Sequence, residues 1–495
     1  MTVEHTELAI VGGGPAGLAA AHRASEARIS VTIIDEQQRL GGQIFRQPPR
    51  SFQVASWMSA EAYRNGLETL RRIETAASVT KMLSTSVWAI FREHGAKHGN
   101  LMLFDGSRIA RLAADRVVLA AGCYERPIPF PGWHLPGVMS AGAIQTLLKS
   151  QQVAVARRVV LAGSHPLLLV VAAQLLAAGV EIAALVFAQS GSTLVAGLRS
   201  PRALWSGRHA FGQAVGALGQ LRRARVPLYF GSLVTAARGD GRIESVLIES
   251  TRRSVAAVRA VDCDALGVCY GFCSSSELAR QVGARSEWSA GSGWRVQADE
   301  WLRSSVSGVY VAGEQLGIAG MEAAFASGEL AALAVALDLG KVAAPDAGRH
   351  ARRLRRTLAR YRRFASWLAE LSTPSEELLA QLRTPDTVLC RCEDVTLADV
   401  EATVRAHPEA GDASSVKLLA RTGMGPCQGR MCEGAVRSVL AQKLGVSPAS
   451  IPGYTVRPPV RPVPLGALAD FDSALDIDPA ALAIASPGHQ NEGMQ

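Results

Sequence analysis

"ELAIVGGGPAGLAAAHRASEARISVTIIDEQ", residues 7–37, decides the fold. An apolar strand from Leu8 to Val11 runs into Gly12, Gly14 and Gly17 at G-x-G-x-x-G spacing. A helix of small residues follows, and a second apolar strand ends in Asp35 with Glu36 beside it. Gly12 permits the tight turn, Gly14 lets the backbone approach a pyrophosphate, Gly17 lets helix and strand pack closely, and Asp35 can accept from ribose hydroxyls. Unpaired N–H groups at the helix start favour the phosphates. A glycine triplet alone is weak, but strand, loop, helix, strand and acid in that order read as a dinucleotide-binding βαβ unit.

Two later stretches point to FAD. "DEQQRLGGQIFRQPP" (35–49) places Gly41, Gly42 and Gln43 just past the second strand, in a turn suited to lying against a planar ring. "SSVSGVYVAGEQLGIAGMEAAFASGELAA" (304–332) offers a strand, a turn at Gly313 and Glu314, and a helix of small residues. It resembles the second FAD-binding stretch of two-dinucleotide-domain flavoproteins, where an acid after the strand contacts the ribityl or pyrophosphate region. The usual acid there is aspartate, and Glu314 is longer by one methylene. Between the two, "ADRVVLAAGCYERPIPFPG" (114–132) matches the strand and turn by which such chains leave the FAD domain.

"RRVVLAGSHPLLLVVAAQLLAAGVEIAALVFAQ" (157–189) repeats the plan of the first unit. Here His165 stands where the backbone would press on a pyrophosphate, Leu168 replaces the third glycine, and no acid closes the second strand. The unit therefore reads as packing kept and standard NAD(P)H chemistry lost, with His165 as a capping or packing residue; a catalytic His165 and a pyridine nucleotide bound in an altered way stay open as alternatives. The apolar run 166–188 imitates a membrane span but reads as helix, turn at Gly179 and strand. No C-x-x-C pair is present for disulfide reduction. Cys123 stands alone, and Cys263, Cys269 and Cys273 read as buried thiols.

A chain of 495 residues has length for about three domains. Its net charge is +9, and much of the excess sits in "ARRLRRTLARYRRF" (351–364), which reads as an amphipathic helix with a basic outer face covering a domain junction, a dock for an acidic partner being the alternative and no nucleic acid being expected. No secretory signal opens the sequence, so the expected compartment is the cytoplasm, with a peripheral place on the inner membrane face as the alternative. The remaining cysteines, Cys390, Cys392, Cys427 and Cys432, follow the pattern C-x-C, thirty-four residues, C-x4-C. That spacing suits four thiolates on a [2Fe–2S] cluster better than zinc, which stays open as the alternative. Glycines 423, 425 and 429 make a loop that can wrap a cluster, and a helix from about Glu433 begins at the fourth cysteine.

The pattern resembles the bacterioferritin-associated-ferredoxin-type [2Fe–2S] domain. Behind a flavoprotein of this build, it resembles the larger subunits of heteromeric dye-linked amino-acid oxidising enzymes: the A-type subunit of opine oxidase, hydroxyproline dehydrogenase, the B-type subunit of hydrogen cyanide synthase and, more distantly, sarcosine oxidase alpha. The resemblance runs from about 5 to 465 through "VGGGPAGLAAA", "YERPIPFPGWHLPGVMSAGAIQTLLKSQ", "CRCEDVT", "GPCQGRMC" and "RPPVRPVPLGALA". It implies an α/β two-dinucleotide-binding-domain flavoprotein, a Rossmann-like FAD domain with an inserted second Rossmann-like domain, plus a small helical [2Fe–2S] domain. The expected domains are 1–125 and 286–342 for FAD, 126–285 inserted, 343–385 a basic helical linker, 386–447 the cluster domain, and 448–495 a Pro-rich arm and loose tail. It also implies a D-amino-acid-oxidase-like flavoprotein partner where the amine is oxidised, a small ferredoxin-like subunit, and FMN at a subunit interface or a non-redox nucleotide in the second domain. No catalytic residue is then expected on this chain. The competing readings are a self-contained NAD(P)H-dependent reductase and a non-enzymatic redox or iron sensor.

Overall fold

The computed structural model describes residues 4–52, 64–92, 98–197, 205–251, 258–289 and 291–471. The tail expected beyond 470 lies, from 472 onward, outside the described residues.

The first sheet is organised by the long strand Ile109–Leu119, which pairs in parallel with Glu4–Val11 and antiparallel with Gly99–Phe104. Val309–Val311 joins its C-terminal end in parallel, with Val309 opposite Val117. Outward from Glu4–Val11 lie Val31–Ile34 and Val79–Met82; beyond Gly99–Phe104 lies Ser86–Phe91. Leu8, Ala9 and Ile10 are fully buried, as befits a strand covered on both faces. The helices Pro15–Glu26 and Met321–Asp338 pack side by side so closely that a Cβ at Gly328 would stand 2.0 Å from Ala16 O. Met321–Asp338 is buried nearly all round, which explains its run of alanines.

A second sheet holds five parallel strands in the order Leu228–Phe230, Glu181–Phe187, Arg158–Gly163, Ala265–Cys269, Val138–Ser140. The apolar run divides as expected: helix Leu167–Ala177, Gly179 at φ +80°, strand Glu181–Phe187. No described helix is long and apolar enough to cross a membrane. The chain crosses between the sheets on an antiparallel ribbon of Cys123–Glu125 and Phe272–Ser274. By Leu278 and Ala279 it packs with Ile90 and Leu101 in the first core, and Gln281 bonds both backbone groups of Ile90. The return thus falls near 275, about ten residues before the expected 285, on a helix, Glu277–Gln281, too short to show a period.

The basic helix Ala344–Ser372 buries Ala347, Ala351, Leu354 and Leu358 against the first core. Its far end reaches the second unit, where Trp367 Nε1 donates to Gly197 O at 3.2 Å and Phe364 sits over Gly207. The C-terminal segment has its own core, built from Val388–Cys390, Val395–Thr396 and the helices Leu397–Ala406, Ala413–Ala420 and Glu433–Leu444. Thr396 and Asp399 form a capping box on the first of these helices. The Pro-rich stretch has no regular structure from 452 to 464, ends in the short helix Leu465–Ala469, and is pinned to the first unit. Val460 N–H donates to Trp88 O at 2.8 Å, and Val463 and Phe471 pack against the Trp88 cluster.

A buried junction joins the C-terminal segment to the antiparallel strand pair Ser286–Ser289 and Gly293–Val296. The Arg437 guanidinium, fully buried, lies 3.9 Å from the Trp288 ring centre and 4.8 Å from that of Trp294, and donates to Pro448 O at 2.7 Å. Glu433 accepts from Trp294 Nε1 at 2.8 Å and from Tyr454 N–H at 3.1 Å. Desolvation lowers the Arg437 pKa to about 10, so it stays a cation held by aromatic faces and carbonyls. Arg437→Met leaves Glu433 without that charge and should cost about 3 kcal/mol of stability. An earlier denaturant midpoint with protease cleavage near 380 would show it; an unshifted midpoint would contradict it.

Candidate functional site

A cavity of about 350 Å³ opens at the C-terminal ends of the first sheet's parallel strands, where such sheets bind ligands. Gly12, Gly14, Asp35, Glu36, Gly42, Gln43, Gly313 and Glu314 all line it. Gly12 takes φ +107° with its Cβ position 2.4 Å from Ala120 O, and a Cβ at Gly17 would stand 1.8 Å from Gly12 O. Gly17 therefore packs helix on loop, outside the lining. Gly14 differs, since a Cβ there meets only Gly42 Cα at 3.7 Å. Its smallness serves the cavity rather than the fold. Gly42, at φ +60°, presses against Gly14, and Gln43 Oε1 accepts from Thr146 of the second unit at 3.4 Å.

Two acids are engaged differently from their sequence roles. Asp35 Oδ2 accepts from Gly13 N–H at 2.6 Å and Oδ1 from Gln37 N–H at 2.8 Å, so this carboxylate first holds the glycine loop in shape. Burial raises its pKa, while those two N–H groups oppose the rise. Each oxygen keeps lone-pair capacity toward the cavity. Glu314 is expected, from its place after the strand, to reach the ribityl or pyrophosphate region. Its carboxylate instead accepts from Ala319 N–H at 2.7 Å and Gly320 N–H at 3.0 Å, tying down the loop before Met321–Asp338. The extra methylene lets it span that loop, and desolvation raises its pKa. Cys123 also faces the cavity, with burial holding its thiol protonated and unreactive.

Four cavity groups are not expected there from the sequence, although each lies in one of its motif-bearing stretches, because nothing local in those stretches shows that they meet at one cavity. Arg46 bonds Gln37 Oε1 at 2.5 Å and Gln43 Oε1 at 3.2 Å, and its buried Nε has no acceptor. Arg461 Nε donates to Glu36 Oε1 at 2.6 Å across the rim. Val460 and Arg430 complete the wall from the C-terminal segment.

The four cysteines converge as two pairs that interact electrostatically, Cys390 with Cys432 and Cys392 with Cys427. Cys390 and Cys432 are buried; Cys392 and Cys427 are partly exposed. The Cys432 partner, with backbone N–H groups of Gly423, Glu393 and Cys392, pulls the Cys390 pKa down to about 6. Cys432 caps the helix Glu433–Leu444, and Tyr454 Oη lies 3.6 Å from its sulfur. A Cβ at Gly425 would meet Cys392 Cβ at 2.2 Å, so the loop passes the second cysteine only as glycine. Among the described residues, three potential metal-ligand atoms lie within 4.8 Å of one another only at His5, His98 and Asp115, away from the cysteines.

The loop of the second sheet is filled by its own side chain. His165 is half-buried against Phe272, with ring centres 5.0 Å apart, and its Nδ1 accepts from Leu167 N–H at 3.2 Å. Desolvation lowers its pKa from 6.5 to about 4. The unfolded chain therefore takes up a proton below 6.5 that the folded chain refuses until about 4. Stability contributed by neutral His165 is complete above that window and is lost as pH falls through it, by about 3 kcal/mol at most. His165→Asn keeps an acceptor for Leu167 and should flatten the fall of the denaturant midpoint between about pH 6.5 and 4. An equally steep variant would contradict this.

Cavity, sheets and crossover ribbon define an oxidoreductase of mixed α/β, FAD-dependent fold. Residues 6–336 match the pyridine nucleotide-disulphide oxidoreductase model and residues 385–471 the sarcosine oxidase A3 domain, so the chain belongs to the pyridine nucleotide-disulphide oxidoreductase family. It is 34% identical over 468 residues to the A-type subunit of opine oxidase from Rhizobium meliloti, covering 93% of this chain and 98% of that one. Hydrogen cyanide synthase subunit HcnB of Pseudomonas aeruginosa is 33% identical over 463 residues, covering 92% and 97%. Among solved structures, L-proline dehydrogenase from P. horikoshii superposes with a TM-score of 0.66 at 22% identity, covering 94% of this chain and 80% of that one.

Proposed function

We propose that this chain is the FAD- and [2Fe–2S]-binding electron-transfer subunit of a heteromeric enzyme that oxidises the CH–NH group of an amino acid, imino acid or opine. The observation that carries the reading is a glycine-built dinucleotide cavity beside two thiol pairs, joined through Arg430, in a chain similar over nearly its whole length to oxidase subunits.

The lining suits FAD. Gly12 and Gly14 give the pyrophosphate a bare backbone, and the orphaned Arg46 N–H offers it a donor. Asp35 and Glu36 stand at the ribose end, Gly42 and Gln43 near the ring, and Gly313 and Glu314 near the ribityl chain. The cysteines suit a [2Fe–2S] cluster better than zinc. With Zn–S near about 2.3 Å in a tetrahedron, all sulfurs lie about 3.8 Å apart. No three cysteine sulfurs among the described residues fall within 4.8 Å of one another, whereas two pairs provide for two irons.

When bound, the two groups supply two-electron chemistry at the flavin and one-electron chemistry at the cluster. The protein's own part is to bind, orient and insulate. Backbone N–H groups at Cys390 and the helix start at Cys432 favour negative charge on the cluster. No general base is required here, because the C–H bond breaks on a D-amino-acid-oxidase-like partner. A small ferredoxin-like subunit, FMN at the interface and a cytoplasmic setting complete the proposal. The plugged loop at His165 supports delivery of electrons from that partner rather than from NAD(P)H.

Iron, zinc and acid-labile sulfide per FAD test the cluster. Two irons and two sulfides, with an electron paramagnetic resonance signal on reduction, are expected; one zinc without sulfide would overturn it.

A further inference from the structure

We infer that Arg430 is the positioning residue that couples the dinucleotide cavity to the cysteine site, an inference that rests on the FAD and [2Fe–2S] reading above. Arg430 lies between Cys427 and Cys432 in sequence, yet its side chain leaves the cysteine loop and forms part of the cavity wall. Its guanidinium has three anchors in three segments. Nη1 donates to Cys427 O at 3.1 Å and Nη2 to Val460 O at 3.2 Å, while Nε lies 3.0 Å from Glu277 Oε1 as an ion pair without the alignment of a hydrogen bond. Arg430 and Glu277 are only 13% and 14% exposed, so this pair is shielded and holds its geometry better than a surface ion pair.

The two hydrogen bonds and the ion pair make a short route from the cavity wall to the backbone of one thiol-bearing residue. They also place a fixed positive charge between the two sites where electron density changes. A planar fork can reach three acceptors at once; a lysine ammonium on a flexible stem keeps the charge without that registry. Arg430 belongs neither to the glycine cradle nor to the thiol set. Its loss should disturb the relation of the two sites more than the occupancy of either.

The step at issue moves one electron from a flavin that holds two to the oxidised cluster, reducing one ferric iron to ferrous. A one-electron dye then re-oxidises that iron before the second electron follows, and the flavin's protons pass to solvent.

The test uses the whole chain loaded with FAD and cluster, as the parent, Arg430→Gln and Arg430→Lys. A deazaflavin flash with EDTA reduces the flavin, and cluster reduction is followed by absorbance and paramagnetic resonance. FAD and iron are quantified in each variant, and transfer is compared per fully loaded chain. Flavin-to-cluster transfer should slow by on the order of tenfold to a hundredfold in Arg430→Gln and less in Arg430→Lys, with added guanidinium restoring part of the Gln variant's rate. Parental rates in both variants would overturn the inference, as would loss of FAD or iron from both, which would make Arg430 a plain structural tie. A parent chain without iron and sulfide would instead overturn the functional reading beneath it.

Discussion

Gly14→Val should leave this protein folded and strip it of FAD. Gly14 has an ordinary φ of −77°, and a Cβ there meets only Gly42 Cα at 3.7 Å, so the backbone tolerates a side chain. What the side chain fills is the space above the helix start, where a pyrophosphate would lie against bare backbone. Overpacking of about 1–3 kcal/mol lowers affinity on the order of tenfold to a hundredfold. Gly17→Val is the contrast, because its Cβ position is 1.8 Å from Gly12 O and the helix must move off the strand. The first variant should keep the parental denaturant midpoint and elute colourless; the second should lose both. A yellow Gly14→Val protein with parental FAD content would sink the assignment of this cavity.

Cys427→Ser should remove the iron and leave the flavin. Cys427 is partly exposed in the loop and pairs with Cys392, so serine replaces a soft ligand without opening a core. One lost thiolate of four leaves one iron with a single ligand from this chain, and the cluster should fall below about a tenth occupancy. FAD content should hold, since the cradle's glycines and Asp35 are far away in the chain. Dye reduction that depends on the cluster should drop on the order of a hundredfold. Full iron with parental dye reduction would show that these cysteines are not the ligands. Cys432→Ser is less clean, because that sulfur is buried at the start of Glu433–Leu444.

The parts of the site legible in the sequence are those whose physics is local. Gly12, Gly14 and Gly17 act within one strand, turn and helix, and four cysteines in two short loops announce themselves by spacing. The hydrogen bonds of an acid are less legible. Asp35 and Glu314 sit in the expected wall, but their oxygens first hold backbone N–H groups of the turns beside them. Contacts between distant segments are not legible at all. Arg461 meets Glu36 across 425 positions, and Arg430 reaches Glu277 from a loop whose only visible feature is its cysteines. The Pro-rich stretch carries no periodic pattern, so nothing in it shows that Val460 seats beside Trp88. His165 is the reverse case: a departure from a known loop pattern, readable from sequence, whose cause is a side chain filling the space a ligand would need.

The central claim is that electrons reach this flavin from a partner and leave through the cysteine site. An anaerobic titration of the cluster-loaded chain with NADH and NADPH, following flavin absorbance, tests it most directly. The account predicts no bleaching by either nucleotide, then bleaching once an amino-acid-oxidising flavoprotein partner and its substrate are added. Rapid bleaching by NADH or NADPH alone would contradict it and make the His165 loop part of a working reductase site.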